Sequence, residues 1–114
     1  MEEFMMIFRM APMGDFQPTP EQMQEGIKHW QDWIGGIAAQ GKFVSTNQLG
    51  FTGKTLKADG IITDGPYAEV KEIVGGYIIV KANGMDDAMD LAKGCPILFI
   101  GGHVEVRAIM QLNP

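Results

Sequence analysis

Cysteine is nearly absent from this sequence, with Cys95 the only one among 114 residues. That excludes a disulfide framework within the chain and a multi-cysteine metal site. Histidine is scarce too: His29 and His103 stand far apart and in no ligand-spacing motif, so no metal and no other cofactor is expected. No apolar run approaches the ~20 residues of a membrane-spanning helix, which argues against a membrane partner. Lys and Arg number 9 against 14 Asp and Glu, giving a net charge of -5. The basic residues are scattered, and nucleic acid needs them clustered on one face. The glycine pairs Gly35-Gly36, Gly75-Gly76 and Gly101-Gly102 lack the GxGxxG or Lys-Ser/Thr context of a phosphate loop. The opening Met1-Glu2-Glu3-Phe4 lacks the basic region of a signal peptide, so a cytoplasmic location is expected.

What is present suits one small domain spanning residues 1–114, since 46% of the residues are hydrophobic and 20% charged. Phe4-Met5-Met6-Ile7-Phe8 is apolar on both alternating faces and predicts a strand covered on each side over Glu2 to Met10. Thr19-Pro20-Glu21-Gln22 has a capping residue, a proline suited to the first helical position and Gln at the capping-box offset. Met23, Ile27, Trp30, Ile34 and Ile37 then recur at helical spacing, which predicts a helix from Pro20 to Gln40 with those five on its core stripe and Gly41 as its stop. Trp33 lies at one edge of that stripe, with His29 one turn away.

Lys42 to Leu49 and Lys54 to Thr63 each predict one strand, and Tyr77-Ile78-Ile79-Val80 marks a central strand over Gly75 to Lys81. A shorter helix is expected over Asn83 to Lys93, with Asn83 as its cap and Asp86 and Asp87 in its first turn. His103 to Met110 alternates, placing Val104, Val106, Ala108 and Met110 on one face and His103, Glu105, Arg107 and Ile109 on the other. This order is a ferredoxin-like βαββαβ unit of the α+β class with one added strand. Two helices cover one face of such a sheet, yet two strands are apolar on both faces. A second copy of the chain is the economical cover, so a homodimer joined through its sheets is expected.

Chemistry is most concentrated between Asp64 and Tyr77. Asp64-Gly65-Pro66 specifies a turn, because Gly admits positive φ, Pro removes a donor and Asp bonds the backbone beyond it. Asp64, Glu69 and Glu72 bring carboxylates near Lys71. A carboxylate that orients His29 would make a general acid–base pair, with Trp33 as an aromatic wall. The structural alternative gives Asp64 the turn's hydrogen bonds and leaves Glu69, Lys71 and Glu72 as solvated pairs worth ~0–1 kcal/mol each. Arg107, with Glu105 and His103, either binds an anionic ligand or pairs across the sheet. Cys95, ahead of Pro96 and with no base near it in sequence, reads as a packed thiol.

Asp64-Gly65-Pro66-Tyr67-Ala68-Glu69-Val70-Lys71-Glu72, Gly75-Gly76-Tyr77, Ala92-Lys93-Gly94-Cys95-Pro96 and Val104-Glu105-Val106-Arg107 together resemble the YCII-related, DGPF-domain family. The resemblance covers nearly the whole chain. It implies a dimeric α+β barrel of two ferredoxin-like units with a cleft between facing sheets, and a His–Asp pair in that cleft, for which His29 is the only histidine of the first helix. The fourth motif residue is Tyr67 instead of Phe, adding a phenol able to bond a ligand. The function expected is lyase- or isomerase-like acid–base chemistry on a small organic molecule, with Asp64 and His29 catalytic and Trp33, Tyr67, Glu69 and Arg107 binding. The alternative is a non-catalytic small-ligand-binding or protein-interaction module.

Overall fold

A computed structural model describes residues 1–11, 18–65 and 72–111. In chain order the elements are β1 (Glu2–Met10), α1 (Pro20–Ala39), β2 (Phe43–Gln48), β3 (Lys54–Leu56), β4 (Ile62–Asp64), β5 (Ile73–Ala82), α2 (Met85–Ala92), a 3-10 segment (Pro96–Ile100) and β6 (His103–Ala108). The main sheet has the order β2-β5-β1-β6 with every neighbouring pair antiparallel, which is the ferredoxin-like strand order. Among the described residues no helix is long and apolar enough to cross a membrane.

Strand alternation decides where the core lies. Phe4, Met6 and Phe8 on β1 and Ile78, Val80 and Ala82 on β5 are buried, and they pack with Ile37 of α1 and Ala88 and Ala92 of α2. Their alternates Met5, Ile7, Tyr77 and Ile79 are only half-buried, because both helices lie on the other side. The molecule is 19 Å through its shortest axis, about one helix layer on one sheet.

Local chemistry fixes the helices. The Gln22 N–H donates to Thr19 Oγ1 at 3.1 Å and the Thr19 N–H donates to Gln22 Oε1 at 2.9 Å, completing the capping box that the sequence predicts. Gly41 takes a left-handed φ of 71° just past the end of α1. Trp33 locks the two helices together: its indole N–H donates to Leu91 O at 2.9 Å, and its ring meets Phe8 and Trp30 edge-on with centroids 6.0 and 5.7 Å apart. At α2 the cap is Gly84 rather than Asn83, with no side-chain cap bond. Asp87 instead accepts the Asn83 N–H at 2.9 Å and holds Lys42 Nζ, 3.1 Å from each carboxylate oxygen, joining the entry to β2 to the start of α2.

Three expectations are corrected. The dimeric α+β barrel is overturned, because neither sheet closes: the main sheet is four-stranded and open, and β3 and β4 form a separate two-stranded sheet. The physical reason is turn chemistry within the segment expected to form one added strand. Gly60, at a φ of 87°, donates its N–H to Lys57 O, and Asp59 Oδ1 accepts the Ile61 N–H. The segment therefore folds back on itself as a hairpin, and four strands are too few to curl into a barrel. Third, the core stripe of α1 is only partly seated: Ile37 is buried and Trp30 and Ile34 are half-buried, but Met23 and Ile27 are 55% and 54% exposed.

Gly75-Gly76 has a packing cause. The register between β1 and β5 slips after Phe8, and a Cβ on Gly76 would sit 2.8 Å from the Asn47 carbonyl oxygen. Gly76→Ala is expected to destabilise the fold by about 1–3 kcal/mol in denaturant titration, as an overpacked site does. The bond from the Asn83 N–H and then the Lys42 ammonium hold the Asp87 carboxyl below its usual 3.8. Its contribution is therefore complete above that value and lost as pH falls through the lower folded-state value. Asp87→Asn should lower Tm at neutral pH and flatten its fall below about pH 4, read by thermal melts across pH.

Candidate functional site

The face of the main sheet that carries no helix is built in rows by strand register. One row places Tyr77, Ile7 and Glu105 side by side, with Asn47 beyond Tyr77, and the next places Ile79, Met5 and Arg107 together with Ser45 at its end. A third aligns Val74, Arg9 and His103. The middle of this face is therefore apolar and the β6 side is charged.

On that side Arg9 Nε donates to Glu105 Oε1 at 2.9 Å, and Arg107 Nε lies 3.9 Å from the other Glu105 oxygen. His103 Nδ1 lies 2.8 Å from Glu72 Oε1. With that ring nitrogen turned to the carboxylate, Nε2 is the free position for accepting or giving a proton. The His103 side chain is 68% exposed while Glu72 is half-buried, so the fixed partner is the carboxylate. Across the face the Asn47 amide donates to the Tyr77 hydroxyl at 2.9 Å, leaving the phenol proton for another acceptor.

The residues singled out in the sequence are dispersed. His29 lies on the exposed side of α1, 3.8 Å from Glu25 and edge-on to Phe99. Asp64 ends β4, opposite Lys54 in the hairpin, with Nζ at 3.7 Å and its own side chain 93% exposed. Among the described residues no hydrogen bond or ion pair joins His29 to Asp64. Trp33 is engaged between α1 and α2, while Arg107 is exposed on the open face beside Glu105. Tyr67, Glu69 and Lys71 lie outside the described residues.

Sequence reasoning missed Glu72 as the partner of His103 and Arg9 as the partner of Glu105. The alternation of His103, Glu105 and Arg107 was a visible signal for a polar face. What pattern alone could not show is the register that sets Arg9 opposite His103 and within reach of Glu105. Among the described residues no group of three or more His, Cys, Asp or Glu is arranged to hold a metal. Cys95 is fully buried, and burial pushes its thiol up to about 11, slightly offset by a backbone hydrogen bond from Ile97. The protonated thiol is a poor nucleophile at neutral pH.

Fold and face together define a class: a small α+β protein with ferredoxin-like strand order and, among the described residues, one sheet face that carries no helix and bears a histidine–carboxylate pair. The chain belongs to the YCII-related domain family, which it matches over residues 10–113. No curated protein matches it.

Two outcomes check this geometry. Nitrogen-15 NMR should show neutral His103 protonated at Nδ1, and Glu72→Ala should shift it toward the Nε2-protonated form. An aromatic disulfide reagent should label Cys95 slowly in the native protein and at least about tenfold faster after unfolding, since reactivity follows exposure and thiolate fraction.

Proposed function

We propose that the open sheet face binds a small organic molecule and exchanges a proton with it, in lyase- or isomerase-like acid–base chemistry. The observation that carries this reading is the 2.8 Å contact between His103 Nδ1 and Glu72. Glu72 holds the imidazole in one orientation, and Nε2 takes or delivers the proton. Arg9 is the cross-strand neighbour of His103 on this face, and its Nε is already held by Glu105. Its two terminal nitrogens remain to receive a carboxylate or a developing oxyanion, with exposed Arg107 as a second cation. The role first expected of His29 and Asp64 thus passes to His103 and Glu72, whose side chains touch.

A homodimer is part of this proposal. Half-buried Met5, Ile7, Tyr77 and Ile79 form an apolar strip, flanked by charges of both signs in Glu3, Lys81, Arg9, Glu105 and Arg107. Such a surface is self-complementary about a two-fold axis, and a second copy would keep water from the exposed imidazole. The exposure of His103 also favours the rival reading of a ligand-binding module without turnover.

Small hydroxylated aromatic acids, keto acids and their halogenated relatives, screened by thermal stabilisation and then incubated in D2O, test the reading. Carbon-bound protons of the stabilising compound should exchange with solvent in the presence of the wild type, read by NMR. His103→Gln should slow that exchange by about 100-fold or more, the usual range of general acid–base catalysis, and Glu72→Gln should slow it less. Stabilisation with no exchange assigns the protein to the non-catalytic reading. Ile7→Glu should convert a dimer to a monomer in light scattering; a monomeric wild type rejects the dimer.

A further inference from the structure

We infer that the protein has a second binding site, on the helix side of its sheet, for an uncharged and largely apolar small molecule. A cavity of about 680 Å³ opens between α1 and the sheet. That volume lies within the roughly 300–1,000 Å³ range of small-molecule sites. It is separate from the histidine site, because Phe8 at its base belongs to the helix-facing set of β1 whereas Arg9 and His103 belong to the other face.

Gly26 leaves this space open, whereas the Met10 side chain packs 3.0 Å from where a Gly75 Cβ would be. Gly75 lies in its lining at the register slip, and Gly26 presents no side chain from α1, with nothing within 4 Å of where its Cβ would be. Exposed Met23 and Ile27 show that the first turns of α1 are not seated on the sheet. Phe8 and Trp30 supply an aromatic wall, their rings edge-on with centroids 4.9 Å apart, and Ile34 and Ile97 continue it.

The lining also selects the occupant. None of its described residues is charged, although 20% of the chain is. Against these described residues an ionic ligand would lose water without gaining a counter-charge, while an aromatic or alicyclic neutral molecule would exchange water for ring and methyl contacts. Exposed Gln31 and Gln48 at the rim offer amides for a single hydroxyl or carbonyl, since neither side chain is in a hydrogen bond among the described residues. Thr46 is not free for that task, because its hydroxyl donates to Tyr77 O at 2.8 Å.

Titration with N-phenyl-1-naphthylamine, a neutral fluorophore, tests the site. Saturable binding of one probe per chain is expected, with energy transfer from tryptophan on excitation of the indoles. Gly26→Leu should fill the cavity and weaken binding at least about tenfold, with Tm at or above that of the wild type because Leu suits a helix better than Gly. Gly26→Ala should retain binding. Ile27→Glu, a change at an exposed position, should weaken binding by placing a carboxylate on the wall, and it serves if Gly26→Leu does not fold. The anionic analogue 8-anilinonaphthalene-1-sulfonate should bind more weakly than the neutral probe. Absence of saturable binding, equal binding of the anion, or unchanged affinity in both Gly26→Leu and Ile27→Glu would overturn the site. Affinity that falls as protein concentration rises would overturn it too, by showing that another chain occupies the cavity.

Discussion

The pairing of β1 with β5 is the constraint on which the rest of this structure depends. Phe4, Met6 and Phe8 stand beside Val80, Ile78 and Gly76 on the helix side, and Ile37 of α1 and Ala88 and Ala92 of α2 belong to the same buried cluster. Burial of those side chains supplies the main driving force, at roughly 25 cal/mol for each Å² of apolar surface removed from water. Because side chains alternate along a strand, the same pairing also aligns Met5 with Ile79 and Ile7 with Tyr77 on the opposite face. One register thus creates both the core and the uncovered surface.

The two faces are finished differently. On the open face β6 pairs with β1 and brings Arg9 against Glu105 and His103, so a polar cluster borders the apolar strip. On the covered face Trp33 clamps α1 to α2 through Leu91, but the clamp lies toward the C-terminal half of α1. Among the described residues nothing comparable draws Met23 and Ile27 down to the sheet. The cavity beneath that part of the helix is the result, and Gly26 adds no side chain to fill it.

Much of the architecture was legible in local patterns. Glu2 to Met10 forms a strand with the expected bounds, though the helices cover only one of its two faces, Thr19 and Gln22 form the expected box, and α1 ends within a residue of its expected limit. The hairpin was less legible: the stretch from Lys54 to Thr63 reads as a single strand until Gly60 and Asp59 are seen to close a turn. The candidate site was less legible still. A histidine–carboxylate pair was expected on His29 and Asp64, which instead meet Glu25 and Lys54 respectively, while His103 contacts Glu72. Proximity in sequence to a shaped turn says little about which side chains meet, since that depends on which strands become neighbours.

The sequence by itself determined the order of the four main strands and two helices, the cap of α1 and the alternation that splits each strand into two faces, because these follow from spacings of a few residues. Tertiary structure alone decided that Glu72 reaches His103, that Arg9 meets Glu105, and that the sheet stays open. Those outcomes join residues tens of positions apart. Long-range strand pairing sets them, and no local period encodes it.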